Sequence, residues 1–178
     1  MKLTRAKIEE LCTPKTVAVL APLITPEAMM LHTVSHEFFH PAGLTQTIFK
    51  ALGTHKHRLE EGKATIGGII VDEWRIPTPK HRLELVAMTI ARILRFYHQS
   101  VLTNPFTLNY VKENFTATTC LSDCKMVELR GNGWHVDLEM AKTKAWFEEL
   151  MKFIQSIIKA YRKIDIQAIK KLEKKYCD

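Results

Sequence analysis

The stretch TPKHRLELVAMTIARILRFYHQS, residues 78–100, decides the fold class. Its apolar residues recur at steps of three and four, which places them on one face of a helix: Leu83, Val86, Ile90, Ile93, Leu94 and Tyr97. Thr78-Pro79 provides a start signal, because proline fits the first helical turn. The pattern predicts a long amphipathic helix over about residues 80–100.

A second long helix is predicted from Asp137, a good N-cap, to about Lys163. Its predicted buried stripe is Phe147, Leu150, Met151, Ile154, Ile157, Ile158 and Tyr161. Shorter helices precede both. Thr25-Pro26-Glu27 opens one of them, and Pro41 ends it, because the residue before a proline is disfavoured in helical conformation.

Extended structure is predicted in two places. Residues 126–130 and 134–136 flank Gly131-Asn132-Gly133, which indicates a small β-hairpin. Residues 66–71, which contain Gly67-Gly68, are expected to form a short strand or extended loop. Strands and helices do not alternate, so a parallel sheet is not expected. The predicted fold is mainly α: one helical domain over residues 1–178, with two long helices, several short ones and the hairpin. A sub-division into 1–77 and 78–178 is the alternative.

Composition fits a globular protein, with 46% hydrophobic and 25% charged residues among 178. No apolar run approaches the roughly 20 residues that a membrane span needs. Glu9 and Glu10 stand where a signal peptide would be apolar. We therefore expect a cytoplasmic protein without membrane association, in which the four cysteines are free thiols.

His36-Glu37-Phe38-Phe39-His40 matches the H-E-x-x-H pattern. Histidines four residues apart share a helical face and can bind one zinc ion, while the intervening Glu37 can act as the catalytic base. By the pattern of the metzincin family, the third ligand would fall at Gln46. By that of the thermolysin-like families, it would be a downstream glutamate, Glu60 or Glu61. His32 lies on the same face as the pair. The alternative interpretation is a helix whose histidines are half buried or face solvent.

A second motif suggests a different function. Residues 43–53, GLTQTIFKALG, resemble the first helix and turn of Cro/repressor-type helix-turn-helix domains, with residues 55–61 as the recognition helix and Gly62 as its end. The resemblance implies binding to duplex DNA through Lys50, His55, Lys56, His57, Arg58 and Lys63. A formal net charge of +7 also favours polyanions. Two short surface helices are the alternative interpretation.

Residues 74–85, WRIPTPKHRLEL, are similar to the connection after the DNA-binding segment in phage small terminase proteins. The resemblance implies DNA packaging by a ring-like oligomer. The leading hypothesis is therefore a non-enzymatic DNA-binding protein of phage or mobile-element origin that forms homo-oligomers. The first rival is a zinc-dependent metallopeptidase that uses His36, His40 and Glu37. The second is a structural or adaptor protein whose apolar helix faces bind partner helices.

Overall fold

The computed structural model describes the backbone of residues 2–53, 56–95, 115–131 and 133–177, and their side chains except for residues 2–4, 56–58 and 95. These ranges contain ten α-helices, a 3-10 turn and one hairpin. In chain order they are α1 (Lys2–Leu11), α2 (Pro14–Leu20), the 3-10 turn (Ala21–Leu23), α3 (Pro26–Phe39), α4 (Gln46–Leu52), α5 (Lys56–Arg75), α6 (Pro79–Arg95), α7 (residues 115–123), β1 (Val127–Arg130), β2 (Gly133–Val136), α8 (Leu138–Lys142), α9 (Ala145–Lys163) and α10 (Ile166–Cys177). The prediction of a mainly α fold is confirmed.

Helix α3 begins and ends where the sequence predicts. The Thr25 backbone is extended, and its hydroxyl accepts a hydrogen bond from the Ala28 amide at 3.1 Å. This bond satisfies one of the backbone donors that a helix leaves free at its N-terminus. The last helical residue is Phe39, so His40 lies at the C-terminal end of the helix, just before Pro41.

Helix α5 corrects two predictions. It runs without a break from Lys56 to Arg75, so residues 66–71 are helical and Gly62 does not end a short recognition helix. Glycine disfavours a helix by about 1 kcal/mol relative to alanine, but here its lack of a side chain serves packing. A Cβ atom at Gly68 would lie 2.9 Å from the backbone nitrogen of His36. One at Gly67 would lie 2.0 Å from the Phe39 ring. The two glycines therefore let α5 approach the backbone of α3.

The second long helix is interrupted. Asp137 caps its start as predicted, accepting hydrogen bonds from the amides of Glu139 and Met140. The prediction of one continuous helix to Lys163 is wrong, because the helical conformation is interrupted between α8 and α9. The Thr143 backbone is extended there, and its hydroxyl donates to the Met140 carbonyl at 2.8 Å. For α6, the predicted last turns over residues 96–100, with Tyr97, lie outside the described residues.

The predicted hairpin is confirmed. Strands β1 and β2 are antiparallel, with Val127 opposite Val136 and Arg130 opposite Gly133. The hairpin is joined to the N-terminal helices, since the Thr13 amide donates to the Trp134 carbonyl at 2.9 Å. Thr16, which is buried in α2, accepts a hydrogen bond from the Val136 amide at 3.1 Å.

One continuous apolar core joins the two halves of the chain, with α1 packed on α6 and α5 packed on α9. A buried ion pair joins Arg82 on α6 to Glu73 on α5 at 2.7 Å. All four cysteines are free thiols, as predicted. Among the described residues, no helix alone has the length and apolar composition to cross a bilayer. One pair, Pro14–Leu23 with Pro26–Phe39, meets those two criteria when combined, although it bends by 80°.

Candidate metal centre

Helices α3 and α5 bring three potential metal ligands together: His36, His40 and Glu61. Their donor atoms all lie within 4.8 Å of one another. The Oε2 atom of Glu61 is 3.3 Å from Nε2 of His36 and 3.9 Å from Nε2 of His40. Two histidines at the C-terminal end of α3 thus face a carboxylate of α5.

The buried His36 ring is oriented by a side chain of α5. Its Nδ1 atom lies 3.0 Å from the hydroxyl oxygen of Thr65, one helical turn after Glu61. With zinc bound at Nε2, Nδ1 would carry the ring proton and donate a hydrogen bond to this hydroxyl. Metal-binding histidines commonly use their second nitrogen in this way.

His40 is flanked by two carboxylates of α5. Oε1 of Glu60 lies 3.6 Å from Nδ1 of His40, on the opposite side of the ring from Glu61. The interaction with Glu60 raises the pKa of His40, although burial opposes it. Burial would raise the pKa of Glu61, but the hydrogen bond from His36 and the charges of both histidines outweigh burial and lower it. Glu61 is therefore an anionic donor at neutral pH.

Glu37 is placed beside the cluster but in solvent. Its side chain is 68% exposed, and its oxygens lie 3.9 Å from Nε2 of His36 and 4.0 Å from Nε2 of His40. A carboxylate at this position can take a proton from a water molecule near the two histidines. It is not needed as one of the three ligands.

The cluster has the ligand types and the approximate spacing of a zinc site. Two imidazoles and one carboxylate are the ligand set of one class of catalytic zinc sites. Ligands bound to zinc at about 2.0–2.1 Å in a tetrahedral arrangement lie roughly 3.3 Å from one another. The Glu61–His36 distance of 3.3 Å equals this spacing, the Glu61–His40 distance of 3.9 Å is about 0.6 Å longer, and all three donor atoms lie within 4.8 Å of one another. His36 and Glu61 are mostly shielded from solvent, while His40 and Glu37 leave the fourth side open.

The chain has the fold of part of a DPP III. It superposes on the structure of DPP III from Caldithrix abyssi with a TM-score of 0.77 and 18% sequence identity. The match covers 99% of this chain and 34% of the other. Thus the chain spans about a third of that protein's length. No family model matches the chain, and no curated protein matches it significantly.

The structure brings together part of the predicted metal set. His36 and His40 converge, and of the candidate third ligands Glu61 joins them. Gln46, the position that the metzincin pattern would give to a third ligand, carries no usual zinc-binding side chain and is the exposed first residue of α4. Glu60 contacts the far nitrogen of His40 instead. His32 is buried 3.9 Å from Asp72 and does not belong to the cluster.

The residues predicted to bind DNA are distributed differently. The prediction that Lys63 contacts DNA is wrong, because its side chain is 0% exposed and cannot reach a phosphate. Lys50 is exposed near the end of α4. Lys56, His57 and Arg58 form the first turn of α5, but their side chains, like all of His55, lie outside the described part. Binding to duplex DNA, the helix-turn-helix resemblance and homo-oligomers stay predictions.

Sequence reasoning missed the residues that support the ligands, Thr65 and Tyr161. The hydroxyl of Tyr161 on α9 donates to Oε2 of Glu60 at 3.2 Å, inside the core. A signal for Thr65 exists, because residues four apart share a helical face and Thr65 follows Glu61 by four. It becomes visible only once residues 56–75 are read as one helix. Tyr161 is 101 residues from Glu60 and leaves no local signal.

Proposed function

We propose that this chain carries the zinc centre of a metal-dependent peptide hydrolase, with His36, His40 and Glu61 as ligands and Glu37 as general base. The observation that carries the proposal is the convergence of the three donor atoms within 4.8 Å. The ligands come from two segments of the chain, since His40 and Glu61 lie 21 residues apart in sequence. A solvent-facing Glu37 beside two histidine Nε2 atoms adds the group that hydrolysis needs.

The roles follow from the positions of the side chains. A zinc ion bound to this set would supply Lewis acidity that polarises a scissile carbonyl and acidifies water. Glu37 would accept the proton of the attacking water on a carboxylate oxygen and return it to the departing amine. Thr65 holds the ring of His36, and Glu60 faces the ring of His40. The exposed side of the cluster, at Glu37 and His40, is where an extended peptide can approach.

The fold supports this assignment. The fold that this chain shares with DPP III covers 99% of the chain. Since the chain spans only 34% of that protein, the metal centre is the first property to test, and peptide cleavage the second. Peptides are the substrate class that we propose.

Metal content tests the proposal directly. Purified protein is expected to bind one zinc ion per chain in equilibrium dialysis with elemental analysis. His36→Ala and Glu61→Ala should each lower the stoichiometry at micromolar free zinc to near zero. His135→Ala is the matched control, because His135 lies on β2, outside the cluster, and should bind zinc normally. Wild-type protein that retains less than half an equivalent, or variants that bind like wild type, would refute the zinc centre.

Peptide cleavage is tested with a fluorogenic peptide library. Glu37→Gln keeps the size of the side chain and removes the base, so it should retain zinc and lose about 10²- to 10⁴-fold in rate. A zinc-loaded Glu37→Gln protein that cleaves as fast as wild type would refute the assigned role.

A further inference from the structure

Lys63 is a fully buried cation next to the metal centre. Its side chain is 0% exposed. The ammonium donates hydrogen bonds to the carbonyls of His40 and Ala42, both at 2.8 Å, and forms an ion pair with Oε1 of Glu60 at 2.6 Å. Two of the three ammonium donors are thus used by main-chain carbonyls, and the positive charge is paired with the Glu60 carboxylate. Burial of a charged lysine is strongly unfavourable unless it is paired in this way.

The two carbonyls that Lys63 contacts lie in the segment directly after α3, which includes the second histidine, His40. Helix α3 stops at Phe39, so the carbonyls of its last turn and of the following residues lack helical partners. Lys63 binds the carbonyl of His40 itself and that of Ala42, two residues further on. The Lys63 side chain on α5 therefore holds the backbone of the second ligand, His40, just after the end of α3.

The ion pair fixes the side chain of the same histidine. The same oxygen of Glu60, Oε1, lies 2.6 Å from the Lys63 ammonium and 3.6 Å from Nδ1 of His40. The other oxygen, Oε2, accepts the Tyr161 hydroxyl. The Lys63 ammonium also lies 5.6 Å from the centre of the Tyr161 ring, within the range of a cation–π contact. Glu60 is thus held on both sides while it faces His40.

We propose that Lys63 is a positioning residue of the metal centre, which holds both the backbone of His40 and the Glu60 carboxylate that orients its ring. The inference rests on the proposed zinc site. The charge and the hydrogen-bond donors of Lys63 are expected to raise zinc affinity, separately from the contribution of Lys63 to the stability of the fold. Tyr161 contributes to the same arrangement more weakly, through one hydrogen bond.

The test compares Lys63→Met with a control of equal severity. Lys63→Met keeps a long unbranched side chain and removes the charge. Arg82→Met removes another buried cation, which pairs with Glu73 and with carbonyls outside the metal centre. Zinc affinity is measured by competition with a chelator at a temperature where circular dichroism shows both variants folded. The cobalt(II)-loaded proteins are compared by their visible absorption bands, which report ligand geometry.

We expect Lys63→Met to weaken zinc about 10- to 100-fold, as loss of an outer-shell partner does, and to change the cobalt spectrum. Arg82→Met should lose stability and keep both its zinc affinity and its spectrum. Lys63→Met that binds zinc like wild type, or Arg82→Met that weakens zinc equally, overturns the inference. Absence of zinc from the wild type is a different result, which defeats the proposed function itself.

A milder variant decides the question if Lys63→Met does not fold. Tyr161→Phe keeps the ring in the core and removes the hydroxyl that holds Glu60. It should weaken zinc about two- to tenfold, the value of one hydrogen bond, and shift the cobalt bands in the same direction. Unchanged affinity in this variant would overturn the role of the Lys63–Glu60–Tyr161 group.

Discussion

Replacement of Gly68 by alanine tests whether the approach of two helices sets the metal site. The new methyl carbon would lie 2.9 Å from the His36 backbone nitrogen and 3.1 Å from its Cα atom. Both are backbone atoms, so the contact cannot be relieved by a change of rotamer. The helices must separate by roughly half an ångström to reach an ordinary contact.

Two effects oppose each other in the stability of Gly68→Ala. Alanine favours the helix by about 1 kcal/mol relative to glycine. Overpacking in a close interface costs about 1–3 kcal/mol. We expect a net destabilisation of up to about 2 kcal/mol. The effect on zinc should be clearer, because the displaced backbone belongs to the ligand His36. A loss of about tenfold in affinity is expected, similar to removal of an outer-shell partner.

The assay pairs urea denaturation with zinc competition on three variants. Gly131→Ala is the control, since a Cβ atom there would meet nothing within 4 Å. Gly67→Ala is the comparison, because its clash is with the half-buried Phe39 ring, which can rotate away. It should weaken zinc less than Gly68→Ala. A Gly68→Ala protein with higher stability and unchanged zinc affinity would show that the separation of α3 and α5 does not govern the ligand geometry.

Three further outcomes follow from contacts described above. Thr65→Val removes the hydroxyl beside Nδ1 of His36 at nearly constant volume and should weaken zinc about tenfold in the same competition assay; unchanged affinity would contradict its orienting role. Arg82→Met leaves the Glu73 carboxylate buried without its partner and should cost about 3–5 kcal/mol in urea denaturation, a cost that Arg82→Met with Glu73→Gln should reduce. Burial raises the pKa of Cys12 to about 11, so its alkylation by iodoacetamide in the folded protein should be slow at pH 8 and accelerate about tenfold per unit towards pH 11. Rapid labelling of Cys12 in folded protein at pH 8 would disprove that burial.

Much of the fold could be predicted from local signals. The stripe of Leu83, Val86 and Ile90 predicts α6, and Thr25 with Pro26 fixes the start of α3. Helix α5 was out of reach because three glycines in an otherwise mixed segment indicate loops or strands by propensity. Gly67 and Gly68 are accommodated in the helix because they pack against α3, which precedes them by about 30 residues. A tertiary contact reverses the local preference.

The candidate site was half visible in the sequence. His36 and His40 are recognisable as two candidate ligands through their spacing alone, because a helix places residues four apart on one face. Selection of Glu61 over Glu60 requires the rotation of α5 about its axis, which sequence alone leaves open between neighbours. The unknown rotation of α5 also explains why Lys63 was wrongly predicted to be exposed. A lysine in a polar stretch is normally exposed, and its acceptors here are main-chain carbonyls that no sequence pattern marks.

The division of the proposed ligands between α3 and α5 would couple zinc binding to folding. An unfolded chain holds His40 and Glu61 on a flexible connection, so strong binding requires the two helices to be docked. Free zinc at a thousand times its dissociation constant would therefore stabilise the folded protein by about 4 kcal/mol. A cell that depletes zinc would withdraw this contribution and expose the chain to proteolysis. Cellular abundance of the protein would then follow the zinc supply.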